Sequence, residues 1–517
     1  MLQTITQETL DRARSAAIQA LKDPALTRSI SVGTGLVGFN LQAPAKQLVA
    51  LQSPFYQSIV RKVKEGANAD NWRVITALGS PDPFTTENAA ASQFATTLSS
   101  KVGNFKVNGV QGVVTLEAVK ASQGFDPALA KETVNTLLVA MKLQEQAFFG
   151  GNITALGDVA APTVALSTSA GNITAGATTY FVRIAPLTVL AANRAPLVFP
   201  ADTNSNSENL LTPVGLTQAQ LQAITSLPTA TNPNPGTAFS TGCGMGRLQN
   251  EGNSGSVTPT NKALKITWTP VAGAVAYAIF VGTVTGAANL GLQCVVTQTQ
   301  VCLTTLIAVG ASAVAGNDAA VPTTDQTANA NHFDGIIAQL NAGGSGAYIK
   351  NLNGTLTGTN NEILEIQDAM AQIFSTAKIG KFRVIVGGND ARILSRLGVK
   401  TGTMTIMVSP QLDGRQALVA GAKVTEIVNS ITGDSCMVET QPWLPPGTIL
   451  ILPTDIPYPN ANVANPFEWV GSYDWMRWEY ASTQSTGPIY PFENRCNGVL
   501  EGLFTGGCGV IYNVWKG

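Results

Sequence analysis

Ile266-Thr267-Trp268-Thr269-Pro270-Val271-Ala272-Gly273-Ala274-Val275-Ala276-Tyr277-Ala278-Ile279-Phe280-Val281 opens a run, 266–317, of 52 residues without one Asp, Glu, Lys, Arg or His. The run is no membrane span, because Gly, Pro, Thr, Gln and Asn recur every few positions and no stretch of about 18 apolar residues forms. It reads as strands. Leu264, Ile266 and Trp268 alternate with outward partners, Thr269-Pro270 and Gly273 mark a turn, and Tyr277, Ile279 and Val281 alternate again. The surroundings are equally bare: 161–330 carries 10 of the chain's 63 charged residues in 170 positions. A charge-poor β domain is set into a different host, and the host decides the function.

The 517 residues can hold two or three domains, each with its own core. Hydrophobic content of 44% is ordinary, whereas 12% charged residues is about half the usual share. Low charge with 50 Gly and 27 Pro predicts many turns and extensive contact between subunits. A net charge of −1 gives no electrostatic reason to bind nucleic acid over the whole surface. The N-terminus, with Leu2, Thr4, Glu8 and Asp11, has neither a basic n-region nor an apolar h-region, so no signal peptide is expected. The six cysteines, Cys243, Cys294, Cys302, Cys436, Cys496 and Cys508, show no C-x-x-C spacing and no metal pattern. Reduced, packed thiols are the expectation; a Cys294–Cys302 link across a hairpin is the sharper alternative.

Working outward, 8–21 reads as a short amphipathic helix with Thr6 as cap and Leu10, Ala17, Ile18 and Leu21 on one side. Residues 29–52 have no firm period and suit an extended arm. Residues 61–78 read as a charged strand, Arg61-Lys62-Val63-Lys64-Glu65 continuing through Trp72, Val74 and Ile75, and 101–115 as its partner, with Val102, Phe105, Val107 and Val113. A tip of small and polar residues, 79–100, joins them. Such a hairpin cannot give both faces a local core, and is an aggregation hazard unless a neighbouring subunit covers it.

Asp126 as cap, Pro127 at the first helical position and a stripe of Val134, Leu137, Leu138, Met141 and Phe148 predict a helix ended by Gly150-Gly151. It has about 23 residues, roughly 34 Å, the length of a spine. Beyond the insert, Asn361 opens a helix with Ile363, Ile366, Met370, Ile373 and Phe374 on its apolar side. Then come a buried strand at 382–386, a short helix at 389–397 ended by Gly398, and strands near 403–408, 422–428 and 448–452. The last 50 residues hold Trp469, Trp475, Trp478 and Trp515 in strand-like runs that end with Val510, Tyr512 and Val514. Read as one sheet, they need an apolar partner, and the spine helix is the candidate.

Catalytic signals are sparse. One histidine, His332, has no nucleophile motif beside it and reads as a polar linker residue at the end of the insert. G-x-S-x-G, H-E-x-x-H and G-x-x-x-x-G-K-[ST] are all missing. Val384-Ile385-Val386-Gly387-Gly388-Asn389-Asp390 could cradle a phosphate at a helix start, but a tight turn is the favoured reading. Glu362, Glu365 and Asp368 read as a solvated helix face. Arg61, Lys62 and Lys64 form the densest basic cluster. It is a solvated hairpin base, or it pairs with carboxylates of a neighbouring subunit; nucleic-acid contact ranks third, because only Trp72 supplies an aromatic.

In segment order the host resembles the major capsid protein of tailed bacteriophages, with the Hong Kong 97-type fold. The residues that carry the resemblance are an N-terminal arm, the long charged hairpin (the family's E-loop), and a spine helix ending Glu145-Gln146-Ala147-Phe148-Phe149-Gly150-Gly151-Asn152. A helix-and-sheet A domain around Phe382-Arg383-Val384-Ile385-Val386-Gly387-Gly388-Asn389 and a return into the P domain through 469–480 complete it. The insert resembles a fibronectin type III or immunoglobulin-like sandwich, with Trp268 and Tyr277 filling its core and Tyr180, Val182 and Ile184 on an earlier strand.

The resemblance implies an α+β Hong Kong 97-like capsid fold interrupted by an all-β immunoglobulin-like sandwich. Its parts are an arm (1–52), an E-loop hairpin (53–116), a P-domain spine helix (117–160), the insert (161–330), an A domain (331–460) and P-domain strands (461–517). It further implies a homo-oligomer of hexamers and pentamers in an icosahedral phage head around double-stranded DNA bound without sequence specificity. The insert is expected on the outer surface. Expected partners are a separate scaffolding protein, a portal and decoration proteins; no cofactor, metal, catalytic residue or membrane is expected. Location in the virion, after synthesis in the host cytoplasm, follows. Candidate intersubunit contacts are Arg61, Lys62, Lys64, Glu65, Trp72, Arg73, Lys101 and Lys106. No lysine lies between Arg73 and Lys101, so the lysine-to-asparagine crosslink of some relatives is not expected. The alternatives are a surface-layer protein or adhesin with a glycan-binding β-sandwich, and a hydrolase with an appended β module.

Overall fold

A computed structural model describes residues 11–12, 14–15, 52–78, 82, 84–122, 127–173, 178–193, 195, 197, 210–213, 244–258, 261–286, 290–307, 325–359, 362–400, 423–456, 458, 463, 465–481 and 488–515. The chain divides into two compact units, 1–49 with 114–131 and 50–113 with 132–517. Of the expected helix at 8–21, residues 11, 12, 14 and 15 are described and are helical. Of the expected arm at 29–52 only Gln52 is described, and the cap residues Thr6 and Asp126, the strand at 403–408 and Cys243 lie outside the described residues.

The elements begin with α1 (Pro54–Ser58), β1 (Val60–Val63), β2 (Ala69–Leu78), β3 (Thr96–Asn104), β4 (Lys106–Thr115), α2 (Leu116–Ala121) and α3 (Ala128–Gly150). In the smaller unit, α2 is capped by the Thr115 hydroxyl, which accepts from Ala118 N at 3.3 Å. The inserted region holds β5 (Thr163–Ile173), β6 (Thr178–Leu187), α4 (Val189–Ala192), β7 (Leu210–Leu211), β8 (Glu251–Val257), β9 (Lys262–Thr267), β10 (Ala276–Gly282), β11 (Gly291–Val296) and β12 (Gln300–Leu303). Next come α5 (Ile336–Asn341), β13 (Tyr348–Gly354), β14 (Gly358–Thr359), β15 (Glu362–Ile363), α6 (Leu364–Ala377), β16 (Phe382–Val386) and α7 (Gly388–Lys400). The chain ends with β17 (Glu426–Val428), β18 (Ser435–Thr440), β19 (Ile449–Pro453), β20 (Phe467–Glu479), β21 (Ile489–Gly502) and β22 (Gly509–Val514).

A mixed six-stranded sheet in the order β13-β22-β19-β16-β18-β17 is the centre of the host. Its side chains alternate between two cores, as strand geometry requires. Phe382, Val384 and Val386 with Ile449, Ile451 and Ile511 meet Ile366, Met370 and Ile373 of α6 and Leu394 of α7. Ile385, Leu450, Leu452, Val510 and Tyr512 point the other way, into a core shared with Phe148, Phe149 and Trp469. That second core also receives residues 132–150 of α3. The helix lies on a four-stranded sheet, β1-β20-β21-β4: Gln144 Nε2 reaches Cys496 Sγ at 3.5 Å, and Asn494 Nδ2 donates to Thr133 O at 3.2 Å.

The insert is a sandwich of two four-stranded sheets, β11-β10-β6-β8 and β5-β9-β12-β7. Its core joins Leu264, Ile266 and Trp268 to Tyr180, Val182, Ile184, Tyr277, Ile279 and Val281, as their alternation predicts. The Trp268 and Tyr277 rings meet edge-on, 5.4 Å apart. The first sheet is not free on its other side. Ala185, Leu187, Ala276, Ala278, Phe280, Leu292 and Val295 belong to the host core, beside Phe148 and Phe333. A strand buried on both faces has nowhere to put charge, which is why β10 has none. The two ends of the insert are zipped together: Leu156 N donates to Thr327 Oγ1 at 2.9 Å, Gly157 N to Asp325 Oδ2 at 3.1 Å and Asn329 N to Asn152 O at 2.8 Å.

Several expectations are corrected. The strand expected at 61–78 is two strands: the chain turns at Glu65-Gly66, where Gly66 takes φ +79°, so β1 joins β20 and only β2 continues into the hairpin. Likewise 101–115 breaks at Phe105 into β3 and β4. The last 50 residues serve two sheets, because β22 pairs with β13 and β19 and not with β20 or β21. Val134 is exposed on α3, and small or polar Thr136, Ala140 and Gln144 let the helix approach the sheet. The helix expected from Asn361 starts at Leu364, α7 runs through Gly398 to Lys400, and the strand at 422–428 is β17 alone. Glu365 leaves its expected solvated face: it is buried and accepts from Thr357 N at 2.8 Å. Cys294 and Cys302 lie in opposite sheets as buried thiols with no disulfide between them, which removes that alternative.

Candidate assembly surface

The long hairpin is a two-stranded ribbon, β2 paired with β3 from Ala69–Asn104 to Leu78–Thr96. Directly paired residues share a face, so Ile75 with Leu98, Arg73 with Ser100, and Asn71 with Val102 line one side. That side is open: Val102 is 62%, Ile75 58% and Leu98 56% exposed. The tip adds exposed Phe84 (86%) and Phe94 (60%), two aromatics that the expectation of a small, polar tip passed over. A two-stranded ribbon is marginal in water by itself, and this one shows its apolar side to solvent.

Among the described residues, its other side meets the body at the base. Trp72 is half-buried with no hydrogen-bond partner for its buried Nε1, and Gly103 sits against Val499 of β21, where a Cβ would come within 2.9 Å of Val499 Cγ1. The Lys101 ammonium reaches Gly502 O at 3.5 Å, and Lys106 donates to Ala330 O at 2.7 Å. Arg73 and Glu65 are exposed.

The basic cluster does not all point outward. Arg61 Nη2 is 2.5 Å from Asp474 Oδ1, with Nε 3.1 Å from Oδ2. Lys62 pairs with Glu468, and Lys64 with Asp70. So three candidate contacts have carboxylate partners within their own chain, whereas the readings of this cluster were a solvated hairpin base or pairing with carboxylates of a neighbouring subunit. Asp474 lies 413 positions from Arg61, whereas Asp70 is only 6 from Lys64.

Below the ribbon, α1 is pinned by a buried carboxylate. Glu145 accepts from Gln441 Nε2 at 2.7 Å and from Tyr56 N at 3.2 Å, and burial holds its carboxyl above the usual range. Burial likewise pushes the Tyr56 hydroxyl up to about 12, while Trp475 Nε1 donates to it at 2.8 Å.

Little here suits catalysis. Asp390 accepts from the backbone of Gly387, the residue before α7, and from Gly447 N at 2.9 Å, so its own carboxyl takes up a donor at the helix start that a phosphate would need; burial pushes it up to about 7. His332 is carried down to about 4 by burial. No group of three or more metal-binding side chains occurs among the described residues, and no helix among them is long and apolar enough to cross a membrane. On the insert, the only large apolar side chain exposed among the described residues is Val284.

No family model matches the chain, and no curated protein matches it. Solved structures similar to it include the capsid of the native GTA particle, at 8% identity over 94% of this chain and 97% of that one, TM-score 0.42. The capsid of cyanophage A-1(L) is similar at 11% identity over 93% and 98%, TM-score 0.41. The holo-SrpI encapsulin complex from Synechococcus elongatus is similar at 7% identity over 92% and 93%, TM-score 0.39.

Proposed function

We propose that this chain is the major capsid protein of a tailed-phage type of head, acting by self-association and not by catalysis. The observation that carries the reading is the open apolar side of the β2–β3 ribbon, with Ile75, Leu98 and Val102 exposed on a strand pair that has no core of its own. A second copy is the cover that such a ribbon lacks. The ribbon lies across the next subunit, and copies close into hexamers and pentamers of an icosahedral shell around double-stranded DNA. Many modest contacts repeated by symmetry make the shell strong without high affinity at any one of them.

The segment order that resembles the Hong Kong 97-type capsid fold supports this, with arm, E-loop, spine helix, A domain and P-domain return in sequence. The immunoglobulin-like insert turns its β5-β9-β12-β7 sheet outward, since the other sheet is taken up by the host core. A separate scaffolding protein, a portal and decoration proteins are its partners. The chain is made in the host cytoplasm and ends in the virion. Electron microscopy of the purified chain tests the reading: closed shells or capsomers are expected, with nuclease-protected DNA in particles from infected cells. A stable monomer at high concentration overturns it.

A further inference from the structure

The ribbon meets the body at a knot of carboxyls. Asp70 lies at the start of β2, while Glu468 and Glu501 are direct partners in the β20–β21 ladder and project from one face. All three are more than nine-tenths buried, at 8%, 3% and 3% exposed. Asp70 and Glu501 act on each other's carboxyl as near neighbours, and a hydrogen bond between them forms only with a proton on one, because an ionised carboxylate can only accept. Oε1 of Glu501 is buried with no donor. The groups facing Glu501 are Asp70 on β2, Glu468 on β20, Lys64 in the turn between β1 and β2, and, through Glu468, Lys62 on β1. Lys101 on β3 brings a third ammonium to the Gly502 carbonyl, 3.5 Å away. The ammonium groups of Lys62 and Lys64 are half in solvent while the three acids are buried, so the repulsion among the acids is only partly offset, and one retained proton relieves it.

We propose that the proton shared by Asp70 and Glu501 is a latch that holds the base of the ribbon to the end of β21, and that its loss to solvent releases the ribbon. The latch rests on the reading of β2–β3 as the arm that reaches a second copy, and adds the control of that arm. No covalent bond changes; the proton passes to water. Burial first, and then Asp70, push the Glu501 carboxyl up to about 8. Burial works against Asp70, but Lys64 and the hydrogen bond from Glu501 hold it below its usual range. A released Glu501 titrates near its ordinary value, about 4.3. The attached form therefore keeps its proton up to about 8 while the released form loses it near 4.3. Attachment is fully present below the lower value, weakens by up to about tenfold per pH unit as pH rises, and levels off above the higher one.

The test is amide exchange of residues 69–75 and 98–104 in the unassembled full-length chain, corrected for intrinsic rates, between pH 5 and 9. Wild-type protection is expected to fall by roughly ten- to a hundredfold from pH 6 to 8. In Glu501→Gln the side chain donates at every pH, so protection is expected to stay flat. Asp70→Asn removes the neighbouring charge and moves the fall to lower pH; it serves if the first variant does not fold, which circular dichroism reports. Flat wild-type protection, or an unchanged fall in both variants, overturns the latch. Shell formation is scored separately by electron microscopy: a chain that latches and releases but never forms particles overturns the assembly reading alone.

Discussion

The Arg61 guanidinium lies over the ring of Trp469, its carbon 3.9 Å from the centroid, and 4.4 Å from the ring of Tyr56. With its two bonds to Asp474, one side chain ties β1, α1 and β20 together. Arg61→Ala is expected to cost about 2 kcal/mol, the sum of a charged hydrogen-bond pair partly open to solvent and a stacked cation. Arg61→Lys is expected to recover little of this, since an ammonium cannot lie flat and bind both carboxylate oxygens. Urea unfolding of both variants measures it; a loss under about 0.5 kcal/mol for the alanine would remove Arg61 from this role.

The ribbon's open face predicts the opposite profile. Leu98→Asp and Val102→Asp replace exposed side chains, so monomer stability is expected to move by no more than about 0.5 kcal/mol. Particle yield is expected to collapse, because a charge would have to be buried against the next copy. Sedimentation of soluble protein beside wild type separates the two readouts. Particles at normal yield would mean that this face stays wet.

Asp390 makes a pH prediction. Burial lifts its native carboxyl to about 7, whereas the unfolded group titrates near 3.9. The native state thus holds a proton that the unfolded state has shed, so stability falls as pH rises from about 4 to about 7. Asp390→Asn is expected to flatten that slope by up to about 1.4 kcal/mol per pH unit. Denaturation at pH 5, 6 and 7 checks it, and equal slopes in the two proteins would place the charge elsewhere.

The parts legible in the sequence were those set by local period. Alternation placed Trp268 and Tyr277 in one core, apolar spacing gave the 23-residue α3, and Phe382–Val386 reads as the strand it is. What escaped depends on partners far away in the chain. Nothing near Val60–Val63 says that it pairs with β20, and unbroken charge through Glu65 hid the turn at Gly66. The candidate cations were readable as a cluster, yet two of their acids, Asp474 and Glu468, carry no local signal; only Asp70 lies near its lysine in the chain. A charge-free β10 announced burial, but composition cannot say that its two faces belong to two different cores.

That double burial sets the last prediction. If the insert were an independent knob, deleting 161–330 would leave the host folded, and the excised piece would fold alone. Instead Ala276, Ala278 and Phe280 fill the host core while Tyr277, Ile279 and Val281 fill the sandwich. Deletion would strip one wall from around Phe148 and Phe333, and the excised fragment would expose that apolar wall to water. Both pieces are expected to be insoluble or unfolded. Point changes avoid that ambiguity: Phe280→Ala is expected to cost about 3–5 kcal/mol and Ile279→Ala about 2–5 kcal/mol, each lowering a single cooperative transition. Calorimetry showing two transitions, with Ile279→Ala moving only one of them, would make the sandwich a separate domain after all.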